Sequence, residues 1–265
     1  KEDEILLEEM GEKNKVIIRD SENEFEKNLK SFFDKMIDIY KNNKKNKISH
    51  KFEMYNEDLP NISIITPTYN RSKMLKLARR NFDKTDYPRN KLEWIIVDDS
   101  DEKDYNVPEE YIKGDNIKYI RLNERKSIGE KRNIAVENSS YDYIMCMDDD
   151  DYYHPVSVKF RLGNLLHLNK NVVGSTCLGV LEINKIISRV SMSSFTEIFH
   201  KRVFESTLGF RKEYWKNNKF SDTNCHEGEG LLKNSINDDN DIVWQNMGVS
   251  LIHYKNTNKR VIVTG

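Results

Sequence analysis

No hydrophobic run in this chain is long enough to span a bilayer, and no excess of one charge marks it as a binder of polyanions. Lys and Arg total 43 against 44 Asp and Glu, a formal net charge of −1. That balance excludes the basic surface of a general nucleic-acid binder. Cysteine is scarce, and Cys146, Cys177 and Cys225 have no metal-ligand spacing and cannot all pair. Buried reduced thiols fit better than a disulfide framework, which favours a cytoplasmic setting. The start, Lys1-Glu2-Asp3-Glu4, does not read as a signal peptide. With no initiating Met and an abrupt end at Thr264-Gly265, the expectation is a segment of a longer protein.

What is present is a polar surface around compact apolar clusters, in 265 residues that suffice for a sizeable core. The most informative feature is Asp148-Asp149-Asp150-Asp151, which follows the apolar stretch Tyr143 to Met147. Four adjacent carboxylates repel one another unless solvent or a positive partner intervenes. A divalent metal is the simplest partner. The preceding residues read as a buried strand, so the run emerges at a strand's C-terminal end, where open parallel sheets bind ligands. Hard oxygen ligands suit Mg²⁺ or Mn²⁺, which use one or two carboxylates and leave other positions to water and phosphate. The run therefore suggests a metal that carries a diphosphate.

Residues 1–55 read as a helical extension and linker. Ser21 and Glu24 form a capping-box pattern ahead of Phe25, Leu29, Phe32, Phe33, Met36, Ile37 and Tyr40, all on one helical face. That face fits packing on the main domain or on a partner chain, including a homo-oligomer. From Ile62 the pattern becomes strand, helix, strand. Ile62 to Thr66 is a strand ended by Pro67; Met74 to Phe82 marks a helix; Trp94 to Val97 is the next strand, ended by Asp98-Asp99-Ser100. Ile117 to Ile120, a helix over Gly129 to Asn138 and a strand over Tyr143 to Met147 follow. This alternation predicts an α/β fold with a mostly parallel central sheet flanked by helices.

Ile64-Ile65-Thr66-Pro67-Thr68-Tyr69-Asn70-Arg71, Ile96-Val97-Asp98-Asp99-Ser100, Gly129-Glu130-Lys131-Arg132-Asn133 and Met147 to Asp151 occur in one order. Together they resemble the nucleotide-sugar-binding half of inverting glycosyltransferases of the GT-A fold, family two. The resemblance covers about residues 60–160. It implies a GT-A domain over 56–265, with a nucleotide-sugar half at 56–155 and an acceptor half at 156–265. It also implies that Thr66, Pro67 and Tyr69 line a uracil pocket, that Asp99 accepts from the base, and that Arg71 and Arg132 reach the nucleotide. Asp148 and Asp149 would lie near the ribose and Asp150 on the metal, with the extra aspartates leaving the register open by one residue; Asp148 is the second metal candidate.

The same resemblance asks for a carboxylate base in the acceptor half. The cluster His226-Glu227-Gly228-Glu229-Gly230 supplies Glu229, with Glu227 as the alternative. His253 is a candidate third metal ligand or diphosphate donor, and Lys255 and Arg260 could meet phosphate. Phe210, Tyr214, Trp215 and Trp244 could form a wall on which an acceptor sugar stacks. The function implied is a metal-dependent transfer, with inversion, of a sugar (a hexosyl group) from a UDP-sugar to an unidentified glycan, protein or small-molecule hydroxyl. Two rivals stand beside it. A sugar-nucleotidyltransferase would carry a glycine-rich loop after the first strand, and Thr66 to Arg71 has no glycine. A non-catalytic nucleotide-sugar-binding module would turn Glu227 and Glu229 away from the metal site.

Overall fold

The computed structural model describes residues 59–101, 107–182, 187–192, 199–235, 241–242 and 246–252. The expected N-terminal helix and linker, together with Trp244, His253, Lys255 and Arg260, lie outside the described residues.

Six strands form the main sheet in the order β3-β2-β1-β4-β9-β6. β1 (Ile62–Thr68), β2 (Leu92–Asp98), β3 (Ile117–Arg121) and β4 (Tyr143–Cys146) run parallel. β9 (Phe204–Arg211) is antiparallel to β4, and β6 (Val172–Ser175) is antiparallel to β9. β1 and β4 are apolar along most of their length because helices cover both faces. Alternate side chains go to opposite cores. Ile62, Ile64, Trp94, Ile96 and Met145 meet Leu75, Ala78 and Phe82 of α1 (Met74–Lys84), and Val158, Leu162 and Leu165 of α4 (Ser157–His167). Ile65, Ile95, Val97, Ile144 and Cys146 meet Ala135 and Val136 of α3 (Ile128–Glu137), Trp215 of α6 (Lys212–Asn217), and Leu231 and Leu232 of α7 (Gly228–Leu232). Each such side chain, fully buried, contributes roughly 1.5–3 kcal/mol. A single-turn helix, α2 (Glu109–Ile112), precedes β3, and α5 (Phe199–Arg202) precedes β9.

Three expectations change. The first strand runs through Pro67 to Thr68, because the β4 ladder stops at Ile65↔Cys146 and only β2 pairs beyond it. A proline at the end of a ladder loses less than one in its middle. A second sheet, β5-β10-β7-β8, was not foreseen; it comprises Tyr152–Tyr153, Gly248–Ile252, Cys177–Glu182 and Ile187–Met192. Finally, Phe210 and Trp215 are core residues and not a sugar wall: Phe210 stacks edge-on against Phe220 at 5.7 Å, and the Trp215 indole N–H donates to Asn133 Oδ1 at 2.9 Å.

Candidate active site

The carboxyl ends of β1 and β4 open onto one cleft of about 870 Å³ counted out into solvent; Asp99, at the end of β2, is buried behind it and is not among its lining residues. At the end of β2, Asp98 is a structural cap. It accepts from the Ser100 backbone N–H at 2.8 Å and from the Tyr119 hydroxyl. Its neighbour Asp99, with a fully buried side chain, is held by four bonds. Arg125 Nη1 reaches both oxygens at 2.7 Å, Lys131 Nζ reaches Oδ1 at 2.7 Å, and the Lys126 backbone N–H reaches Oδ2 at 2.7 Å. Burial lowers the proton affinity of Lys131, and the Asp99 charge opposes that shift.

Tyr69 lies beside this group in the turn after β1, its ring under the Arg125 guanidinium at 3.3 Å and its hydroxyl donating to Asp101 at 3.1 Å. Asn70 takes the left-handed conformation at φ 50, which its short polar side chain tolerates. Its N–H donates to Ser100 Oγ at 2.7 Å, which ties the β1 turn to the β2 turn. Pro67, Tyr69 and Arg71 line the cleft. Thr66 does not. It is buried, accepts from the Trp94 indole N–H at 2.8 Å and donates to the Met147 carbonyl at 2.7 Å, so it braces β1 between β2 and β4.

The acidic run has positive partners within the chain. Arg71 Nη1 bridges Asp149 Oδ1 at 3.0 Å and Asp150 Oδ2 at 2.7 Å, and Arg132 Nη2 pairs with Asp148 Oδ1 at 2.8 Å. Asp149 also accepts from the Thr68 hydroxyl at 2.6 Å. Burial pushes its carboxyl up to about 6, against the pull of Arg71. Asp151 turns to the second sheet, where Oδ1 accepts from the Leu251 N–H at 3.1 Å.

Among the described residues, no group of three or more His, Cys, Asp or Glu is placed to hold a metal. A cation that keeps water and substrate phosphate needs only one or two carboxylates. Asp148 and Asp150 line the cleft with hard oxygen atoms, so their chemistry fits Mg²⁺ or Mn²⁺.

The opposite wall comes from β9 and α7. Glu205 and Glu227 line the cleft, and the Arg132 guanidinium spans between the walls, its Nε donating to Glu227 Oε1 at 3.1 Å. Its Nη1 is buried with no hydrogen-bond partner. The Tyr153 hydroxyl fastens the two walls together, accepting from the Asp148 N–H at 2.8 Å and donating to the Ser206 carbonyl at 3.1 Å. Tyr153→Phe would leave both backbone groups unpaired and is expected to cost about 1–3 kcal/mol in urea unfolding. Glu229, the first-choice base from the sequence, is not among the cleft-lining residues; Glu227, the alternative, is.

Burial, then repulsion from Glu227, pushes the Glu205 carboxyl up to about 7 from an ordinary 4.5. A carboxyl whose proton is held more tightly in the folded state stabilises fully below about pH 4.5. That contribution is lost as pH rises through about 7. Asp149 acts with the same sign between its ordinary 3.8 and about 6. Glu205→Gln is therefore expected to flatten the fall in unfolding free energy between pH 4.5 and 7, an effect of about 3 kcal/mol readable by urea titration at several pH values.

Residues 221–227 dock on the start of α3. The Gly129 N–H donates to the Thr223 carbonyl and the Ile128 N–H to Asn224 Oδ1, each at 3.1 Å. A capping box of Ser127 with Glu130 completes the helix start. The end of α3 is thus spent on holding the loop that carries Glu227. A Cβ on Gly129 would lie 1.7 Å from the Ser221 carbonyl oxygen. Gly129→Ala is expected to push this loop off the helix, with a loss of about 1–3 kcal/mol in thermal or urea unfolding.

Sequence reasoning missed Arg125 and Glu205. Arg125 sits in the polar stretch Asn123-Glu124-Arg125-Lys126, where nothing local sets it apart. Glu205 had one usable signal, a charge at the entrance of the buried strand residues Ser206 to Phe210.

Residues 63–240 match the family model for glycosyl transferase family 2. The poly(ribitol-phosphate) beta-N-acetylglucosaminyltransferase TarS of Staphylococcus aureus is 29% identical over 99 residues, 37% of this chain and 17% of that protein. Chondroitin synthase of Pasteurella multocida is 33% identical over 141 residues, 51% of this chain and 14% of that protein. The chain thus spans a small part of the length of the curated relatives it matches. Among solved structures, TarS 1-349 in complex with UDP gives a TM-score of 0.51 at 21% identity, covering 74% of this chain and 58% of that one. Mannosyltransferase PcManGT from Pyrobaculum calidifontis, in complex with GDP-Man and Mn²⁺, gives 0.54 at 16% identity, covering 76% and 59%. With the family model spanning more than half of its residues and its sheet shared with these structures, the chain belongs to glycosyl transferase family 2 and has the GT-A fold.

Proposed function

We propose that this domain transfers a sugar from a UDP-sugar to an acceptor hydroxyl with inversion, assisted by a divalent cation. The observation that carries the reading is the meeting of two acidic walls across one cleft. Asp148 to Asp150 stand at the end of β4, and Glu205 and Glu227 stand opposite, with buried Arg132 paired to both sides. TarS has been solved with UDP and the mannosyltransferase with Mn²⁺, which supports a nucleotide and a metal here.

Pro67 and Tyr69 would offer a flat surface to uracil, and Asp99 would accept its imide N–H in place of one of its present partners. A site built on that bond rejects bases lacking the donor. Asp148 and Asp150 would hold the cation, which supplies the Lewis acidity that neutralises a leaving diphosphate. Arg71 holds Asp149 and Asp150 in place, and Arg132 keeps Glu227 aimed into the cleft. The Glu205 and Glu227 carboxyls act as a unit that takes the acceptor proton, because close like charges share one proton. That Glu227 lines the cleft favours the transferase over the non-catalytic rival.

The test is UDP release from a UDP-sugar panel with Mn²⁺ and with EDTA. Metal-dependent turnover of one donor is expected. UDP binding without turnover on any donor, with acceptor glycans supplied, would replace the transferase by the binding module. Absence of UDP binding in both conditions would overturn the nucleotide reading itself.

A further inference from the structure

Arg125 occupies the slot that the proposed reading gives to the nucleobase. A uracil there needs a flat apolar face and an acceptor for one N–H. Arg125 already uses both. Its planar guanidinium lies 3.3 Å from the centre of the Tyr69 ring, and Nη1 donates to both Asp99 oxygens at 2.7 Å. A carboxylate has about four lone-pair positions. Those of Asp99 are filled by the two Arg125 bonds, Lys131 Nζ and the Lys126 N–H.

The four partners differ in how easily they can leave. Lys131 is 2% exposed at its side chain and also donates to the Thr68 carbonyl at 2.9 Å, so it is fixed between β1 and β2. The Lys126 N–H belongs to the backbone that enters the Ser127 capping box. The Arg125 side chain is 44% exposed and extends from the loop ahead of α3. It alone can swing into solvent without opening the fold.

We infer that Arg125 is a resident ligand of the nucleobase slot, a guanidinium that stands in for the base until the nucleotide displaces it, and so sets donor affinity. The inference rests on the nucleobase reading of Tyr69 and Asp99. A guanidinium is a fair mimic of a pyrimidine edge, being planar, able to stack on an aromatic face and lined with N–H donors. Each nucleotide must break the Arg125 contacts before it stacks, so the measured dissociation constant is the intrinsic one divided by the fraction of molecules with the slot open. Any ligand that enters the slot carries the same factor, whatever its phosphate chain.

The experiment is calorimetric titration of UDP and of UMP, each with Mn²⁺, into the wild-type protein and into Arg125→Ala and Arg125→Lys, after thermal melts show that all three are folded. Arg125→Ala is expected to bind UDP about five- to tenfold more tightly, with the same factor for UMP. Arg125→Lys, which cannot stack as a plane, should fall between wild type and Arg125→Ala. Unchanged or weaker binding of both nucleotides by Arg125→Ala would overturn the inference while leaving the nucleotide reading in place. A loss confined to UDP would also overturn it, by assigning Arg125 to the β-phosphate. Failure of either nucleotide to bind any of the three proteins would instead sink the nucleobase reading on which the inference rests.

Discussion

Arg132→Met is expected to destabilise the domain by about 3–5 kcal/mol, the cost of stripping one partner from a buried ion-paired group. The guanidinium is 2% exposed and pairs with Asp148 at 2.8 Å and Glu227 at 3.1 Å. Methionine fills most of the volume, so the loss measures charge and not a cavity. Asp148 and Glu227 would then face each other, and Glu205, with no cation between them. Lysine is a poor substitute because a point charge cannot serve two carboxylates along two directions of a planar fork. Urea unfolding at pH 7 reads the effect, and the double variant Arg132→Met/Glu227→Gln should recover part of it, since one of the stranded charges is gone. A loss under about 1 kcal/mol would mean that the carboxylates find compensation elsewhere and that Arg132 does not bridge the two walls.

Glu227→Gln and Glu205→Gln are each expected to lower kcat about 10²- to 10⁴-fold, whereas Glu229→Gln should stay within about threefold of wild type. The contrast separates the structure from the sequence pattern, which put Glu229 first. Glutamine keeps the size and the hydrogen bonding of the side chain while removing the ability to take a proton. Glu205 carries the clearer pH signature: with its carboxyl near 7, kcat/KM should rise with pH through the neutral range and lose that limb in Glu205→Gln. UDP affinity, measured separately, should be little changed in both variants because neither residue belongs to the β1 and β2 turns. A strong loss with Glu229→Gln and none with Glu227→Gln would return the base to the position first read from the sequence.

Much of the wall formed by the β1 and β4 ends was legible because it is local. β1, β2 and β4 announce themselves as short apolar runs, each followed at its C-terminal end by polar residues, and those after β1 and β4 reach the cleft. Arg71, Arg132 and the aspartate run line the cleft, whereas Asp99 is buried beside it. The wall of Glu205 and Glu227 was not legible in the same way. Whether Glu227 or Glu229 faces the cleft depends on how a five-residue helix is rotated, and that is fixed by the 221–227 loop docking on Gly129 and Ile128. No short window of sequence carries that contact. The second sheet was missed in part for a related reason: Cys177-Leu178-Gly179-Val180-Leu181-Glu182 pairs locally with Ile187–Met192, but its other partner, Val249 to Ile252, comes from much later in the chain. Arg125 was invisible because a half-exposed arginine in a charged loop is ordinary until its distance to Tyr69 is known.

The place of β9 in the main sheet shapes how the chain reaches its native state. β6 is made before β9 yet has β9 as its sheet neighbour, and the open edge of β4 also waits for β9. During synthesis the β1 to β4 ladder can close while the apolar edge Ile144-Met145-Cys146 stays unpaired. Such an edge is a template for pairing with another chain. Closing the sheet by insertion between two existing strands makes the decisive contacts non-local, which slows folding. The same insertion joins both acidic walls of the cleft, so a chain that stops before β9 carries the aspartate run but neither Glu205 nor Glu227.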